Sequence, residues 1–139
     1  MTNNSTVKEI DINLDGIGHV IADKRLSVPI YQRSYGWEEK HVNDLFRDLE
    51  KSMEESNGDY FLGSIVAIKN KDSDRINVVD GQQRLATISI LISAIRDYLD
   101  SNDETDLASE ITTEFLIKKD RRTREELANF VLNEFDHDY

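Results

Sequence analysis

The stretch "VVDGQQRLATI", Val78–Ile88, decides the fold. It begins β-branched and apolar, passes through Asp80 and Gly81, and ends in an apolar repeat with helical spacing. A strand that hands over through Asp–Gly to a helix is an α/β junction. Leu85, Ile88, Leu91, Ile92, Ile95 and Leu99 form one stripe, with Ala86, Ile90 and Ala94 beside it. That pattern predicts a helix over 85–99 whose wide apolar surface is mostly buried. The start of such a helix carries unsatisfied N–H donors and a partial positive charge. A cation there is disfavoured by ~0.3–1 kcal/mol, so Arg84 is at home only if an anion is shared between its guanidinium and those donors. Arginine's planar fork matches phosphate oxygens. Gln82 and Gln83 can donate to a phosphate or ribose, or orient a water. Asp80 can hold Mg²⁺ or position a nucleophile. A purely local alternative also stands: Asp80 caps the helix and Arg84 pairs with a carboxylate on a neighbouring helix. The phosphate-binding pattern G-x-x-x-x-G-K-[ST] is absent.

Working upstream, Arg75–Val79 reads as the returning strand of a hairpin, "NKDSD" as its turn and Tyr60–Lys69 as its first strand. Before that, Glu38 and Glu39 open a helix with an amphipathic stripe of Val42, Leu45, Phe46, Leu49 and Met53, ended by "SNGD". Leu26–Tyr31 reads as a strand with Pro29 at an edge or end. Val7–Val20 reads as a short strand or a helix. The loop between strand and helix belongs to "VPIYQRSYGW", which gathers Tyr31, Gln32, Arg33, Tyr35 and Trp37. A second arginine among three aromatics suits a phosphate grip with stacking on a base. The alternative is that the aromatics are core and Arg33 forms a surface ion pair.

Downstream, "DSNDET" reads as a loop, Leu107–Lys118 as helix or helix plus strand, "DRRTREE" as a charged turn and Leu127–Leu132 as a strand. Within "KKDRRTR", five cations surround one acid. Arg121, Arg122 and Arg124 are therefore candidates for contact with a DNA phosphate backbone, a solvated turn being the alternative. The closing "NEFDHDY" suggests a domain cut from a longer protein, a short natural chain being the alternative.

The chain has 139 residues and a net charge of −11. One domain with a single core fits that length. The acidic balance opposes non-specific adhesion to DNA or anionic lipid, though not contact through a local basic patch. Without cysteine there are no disulfides or thiolate metal sites. No secretory signal or membrane-length apolar run is visible, so a cytoplasmic protein is expected. His19, His41 and His137 are scattered and read as surface residues.

"VPIYQRSYGW", "YFLGSIV" and "VVDGQQRLATI" in this order resemble the DGQQR-bearing domains at the front of modification-dependent (type IV) restriction endonucleases. The resemblance spans Leu26 to Leu99, and Ala86 departs from it where threonine is commoner. More distantly the chain resembles the ParB/sulfiredoxin superfamily: Pro29, Gln32 and Arg33 match its first box, Gly81 and Arg84 its second. The resemblance implies an α/β (α+β) fold, a small mixed sheet with packed helices, as one nucleotide-binding domain over residues 1–139. It implies that Tyr31, Gln32, Arg33, Gly81 and Arg84 bind a nucleoside triphosphate, GTP or ATP. Asp80, Gln82, Gln83 and Arg84 would hydrolyse it, with Mg²⁺ on Asp80. It implies that this governs a C-terminal nuclease domain of HNH type, and that the full enzyme acts on modified DNA in anti-phage defence. Tyr35 and Trp37 would then meet a base. The other readings are a nucleotide-gated switch or modified-DNA sensor without turnover and, ranked last, direct cleavage of nucleic acid. No membrane partner is expected, and a homo-oligomer is left open. If the two boxes share a site, Gln32, Arg33, Gln82, Gln83 and Arg84 converge on one cleft.

Overall fold

The computed structural model describes residues 10–55, 59–69 and 71–132. Val7, most of "SNGD", Asn70 in the hairpin turn, and "NEFDHDY" with His137 lie outside them. The chain runs α1 (Ile17–Asp23), β1 (Leu26–Ser27), α2 (Glu39–Glu54), β2 (Val66–Lys69), β3 (Ile76–Asp80), α3 (Gln82–Ser101) and α4 (Thr105–Ile111). A π-helical turn (Thr112–Leu116) follows, then β4 (Ile117–Lys119), β5 (Glu126–Ala128) and β6 (Phe130–Val131). The main sheet has the order β2-β3-β1-β6, and β4 and β5 form a separate hairpin. β1 runs parallel to both β3 and β6, whereas β2 and β3 are antiparallel. This is the α/β class expected: a small mixed sheet with helices packed on it.

Val78, Leu26, Leu85, Ile21, Leu45 and Ile88 form the core, drawn from two strands and three helices. The junction predicted from "VVDGQQRLATI" is present, with α3 starting at Gln82 rather than Leu85. The buried Leu85–Ile88 segment pins the start of α3 to the sheet. Further along, Ile90, Ile95 and Tyr98 are exposed, so the helix is not mostly buried as its composition suggests. The small sheet and α4 cover only part of its circumference. The α2 stripe is corrected likewise: Leu45 is buried, but Met53 is 81% exposed. α2 begins with a capping box, in which Glu38 and His41 each accept the other's backbone N–H.

Strand lengths also differ from expectation. Leu26–Tyr31 contributes only Leu26 and Ser27 to the sheet, because Pro29 starts a turn whose carbonyl accepts the Gln32 N–H at 3.0 Å. Tyr60–Lys69 pairs only over Val66–Lys69, since Gly63 at φ +99° breaks the extended run. The helix reading of 7–20 survives only as α1, and Ile10, Ile12 and Leu14 before it are exposed. The "DSNDET" loop is shorter than expected: α3 runs through Ser101 and α4 begins at Thr105, leaving Asn102–Glu104 as the connection. Leu107–Lys118 is helix plus strand. Leu127–Leu132 holds two strands divided by Asn129, which is 1% exposed. The Asn129 amide donates to the carbonyls of Ile21 and Glu114, at 3.2 and 3.4 Å. Its backbone N–H donates to Leu116 O, and its carbonyl accepts the Leu26 N–H, each at 2.8 Å. One side chain and its backbone thus tie α1, the π-turn and β1 together. No described helix is long and apolar enough to cross a membrane.

Candidate functional site

A cleft of about 150 Å³ opens at the carboxyl end of β3, where ligands of parallel sheets bind. Gly81 makes it possible. As N-cap of α3 it sits at φ +87°, and a Cβ there would lie 3.0 Å from Ile65 Cγ1 and 3.2 Å from Ser64 O. Only glycine tolerates both the backbone angle and the approach. Asp80 Oδ1 accepts the Gly81 N–H at 3.0 Å, and no side chain caps α3. The first-turn N–H groups are therefore left without a side-chain acceptor.

Arg84 does not pair with a carboxylate among the described residues. Its Nη1 donates to Ser64 O at 3.0 Å. The local alternative for the motif, a capping Asp80 with an ion-paired Arg84, is thus not the arrangement found. Gly63 clears the space: a Cβ there would stand 2.6 Å from Arg84 Nη1 and 3.0 Å from its Cζ. Gly63→Ala is therefore expected to push the guanidinium out of place and weaken any binding of phosphate-bearing ligands severalfold without changing the charge of the cleft. Titration of the variant alongside a thermal melt checks this.

The second box is stitched to α3 by side chains. Gln82 Nε2 donates to Gln32 Oε1 at 2.9 Å. Gln83 Oε1 accepts the Gly36 N–H at 2.7 Å, and its Nε2 donates to Ser34 O at 3.3 Å. Thr87 Oγ1 donates to Gln83 O at 2.8 Å, so the Tyr35 hydroxyl, 2.9 Å away, donates to Thr87. These bonds bring Arg33 and Trp37 to the cleft, which they line with Asp80, Gly81, Gln82, Gln83 and Arg84. Gln32 stands at its edge through Gln82. Four of the five residues expected to converge line the cleft, brought together across about fifty positions of sequence, and Gln32 reaches it only through Gln82.

Their availability differs. Gln83 uses both ends of its amide to hold the Ser34–Gly36 backbone. Trp37 packs against the core and stacks on His41 with ring centroids 6.0 Å apart, while Tyr31 is 72% exposed. Arg33 is exposed and forms no ion pair among the described residues. Asp80 is the one carboxylate lining the cleft, and no three potential metal ligands cluster among the described residues. Sequence reasoning missed Gly63, Ser64 and Thr87. A lone glycine inside a strand-like run signals a close backbone approach and pointed to the first two.

The "KKDRRTR" run forms the β4–β5 turn. Asp120 Oδ1 accepts the N–H groups of Arg122 and Thr123 at 2.8 and 2.9 Å. Those bonds hold its carboxyl below the usual aspartate range. Arg121, Arg122 and Arg124 are exposed at the tip, and Arg124 adopts φ +65°. This turn lies away from the cleft, at the opposite end of the sheet.

Residues 17–139 match a family model described as the GmrSD restriction endonuclease, N-terminal domain. No curated protein matches the chain.

Proposed function

The chain belongs to the GmrSD restriction endonuclease N-terminal domain family, and we propose that within such an enzyme it binds and hydrolyses a nucleoside triphosphate to regulate cleavage of modified DNA. The observation that carries this reading is the cleft shared by Arg33 and Arg84 at an uncapped helix start. Two guanidinium groups beside helix N–H donors form an anion site. Its size narrows the ligand. At about 150 Å³ the cleft is smaller than the ~300–1,000 Å³ of pockets that enclose a whole small molecule. Phosphates fit within it, leaving ribose and base outside towards the edge of Trp37.

Mg²⁺ is commonly held by one or two carboxylates together with substrate phosphates. Asp80 suits that role, because Oδ1 is taken by the Gly81 N–H and Oδ2 remains for the ion. When bound, the ion would neutralise phosphate charge. Gln82 is the better placed glutamine to orient a water, since its Oε1 accepts no bond among the described residues whereas Gln83 is committed to the loop. Arg33 and Arg84 would grip the terminal phosphates and stabilise charge developing on them. Cleavage of DNA is assigned to a nuclease domain elsewhere in the enzyme.

The use of Gln83 as a loop fastener also favours a second reading, a nucleotide-gated switch without turnover. Calorimetry with GTP and ATP in Mg²⁺, followed by phosphate-release assays on the same chain, separates the two. Saturable binding with release supports hydrolysis. Binding without release leaves the switch, and no binding removes both.

A further inference from the structure

Positive charge also gathers at the end of the sheet opposite the cleft. β1 and β3 both start at the end opposite the cleft, and β2 finishes there, since Lys69 pairs with Ile76. Three segments distant in sequence meet at that end: Asp23–Arg25, 69–75 and Lys118–Glu126. The structure joins them directly. The Ile76 N–H donates to Arg25 O at 2.8 Å, and Arg25 Nη1 lies 3.6 Å from Asp120 Oδ2. Arg75 donates to Leu26 O and Ala128 O, at 3.2 and 2.9 Å. Together the segments hold ten of the chain's 17 lysines and arginines against six acids, or +4 in a chain of −11.

Within this end, Arg75 and Lys118 are tied to backbone carbonyls and Arg25 faces Asp120. Lys24, Lys69, Lys71, Lys119, Arg121, Arg122 and Arg124 form no ion pair among the described residues. Lys24 follows α1, and the other six sit on two neighbouring hairpin ends. One flanks an open groove of about 570 Å³ lined by Lys69, Lys71 and Arg75, with Ser73, Asp74 and Ile76. The other is the β4–β5 tip.

From this placement we propose that the two turns form one docking surface for the phosphodiester backbone of duplex DNA, with Lys69 and Lys71 on one turn and Arg121, Arg122 and Arg124 on the other. A compact phosphate would engage one turn. Cations spread over two turns suit a ligand with charges repeated along a line, as duplex DNA has about every 1.7 Å. The acidic remainder of the chain repels that ligand and fixes which end meets it. DNA therefore approaches at the pole opposite the cleft, about 15 Å away along β3. The proposal extends the reading of the "KKDRRTR" turn and adds the β2–β3 turn as its partner.

The test is a salt series with the 139-residue chain and a short duplex, starting near ~50 mM salt because binding weakens steeply with ionic strength. Lys69→Ala/Lys71→Ala should flatten the log K against log salt slope by ~2 units, and replacing Arg121, Arg122 and Arg124 by alanine by ~2–3 units. Lys40→Ala, exposed in the first turn of α2 just after the cleft's Trp37, should leave the slope unchanged. If only the arginine variant flattens it, the two-turn surface is wrong and the single-turn reading survives. If neither does, both fall. Equal binding to phosphatidylserine vesicles, lost in the same variants, would also overturn the proposal by making the surface a membrane contact.

Discussion

Replacing Arg84 with alanine is expected to weaken nucleoside triphosphate binding more than tenfold. A hydrogen bond to a charged group contributes ~1.5–3 kcal/mol, and about 1.4 kcal/mol is a factor of ten. Arg84 presents its fork at the helix start, oriented by the Ser64 carbonyl and given room by Gly63. The variant also loses the bond to Ser64, so a modest fall in melting temperature accompanies the lost binding. Calorimetry and a thermal melt on the same samples keep the two effects apart. Arg84→Lys serves as a second variant, because it retains the charge but not the paired donors. It should bind more weakly than wild type and more tightly than Arg84→Ala. Wild-type affinity in a folded Arg84→Ala chain would show that the guanidinium only braces the Ser64 turn.

The second large effect concerns stability. Asn129→Ala should destabilise the fold by ~2–4 kcal/mol, from the lost amide bonds and the cavity left behind. For a chain of this length that is a fall of roughly 10 °C in melting temperature. The reason is placement: Asn129 is 1% exposed and its amide reaches both Ile21 O and Glu114 O. Without it, those carbonyls lose their side-chain donor where α1 meets the π-turn. Asn129→Asp gives an independent check, since it keeps the volume but replaces the donating amine with an acceptor. It should be at least as destabilising as alanine. A melt within about 2 °C of wild type for both variants would place the stability of this junction elsewhere.

The sequence by itself determined what depends on neighbouring residues. Asp80–Gly81 between a β-branched run and a helical stripe can be little other than a strand-to-helix turn, because positive φ at that position demands glycine. The hairpin and the start of α2 at Glu38 and Glu39 were legible for the same reason. The pairing of the two boxes was legible only through the family resemblance.

Tertiary structure alone decided how far each element is used. Ile90, Ile95 and Met53 read as core by periodicity, yet are exposed because a small sheet cannot cover every face of two long helices. Leu26–Ser27 is a strand of two residues because pairing requires partners, and Pro29 turns the chain away from them. The same holds for roles in the cleft. Gln82 and Gln83 are chemically identical neighbours, but adjacent helix positions point about 100° apart. One therefore meets Gln32 at the edge of the cleft, while the other closes on the backbone of Ser34 and Gly36. Which glutamine fastens the loop is set by that rotation and by the backbone packed against it.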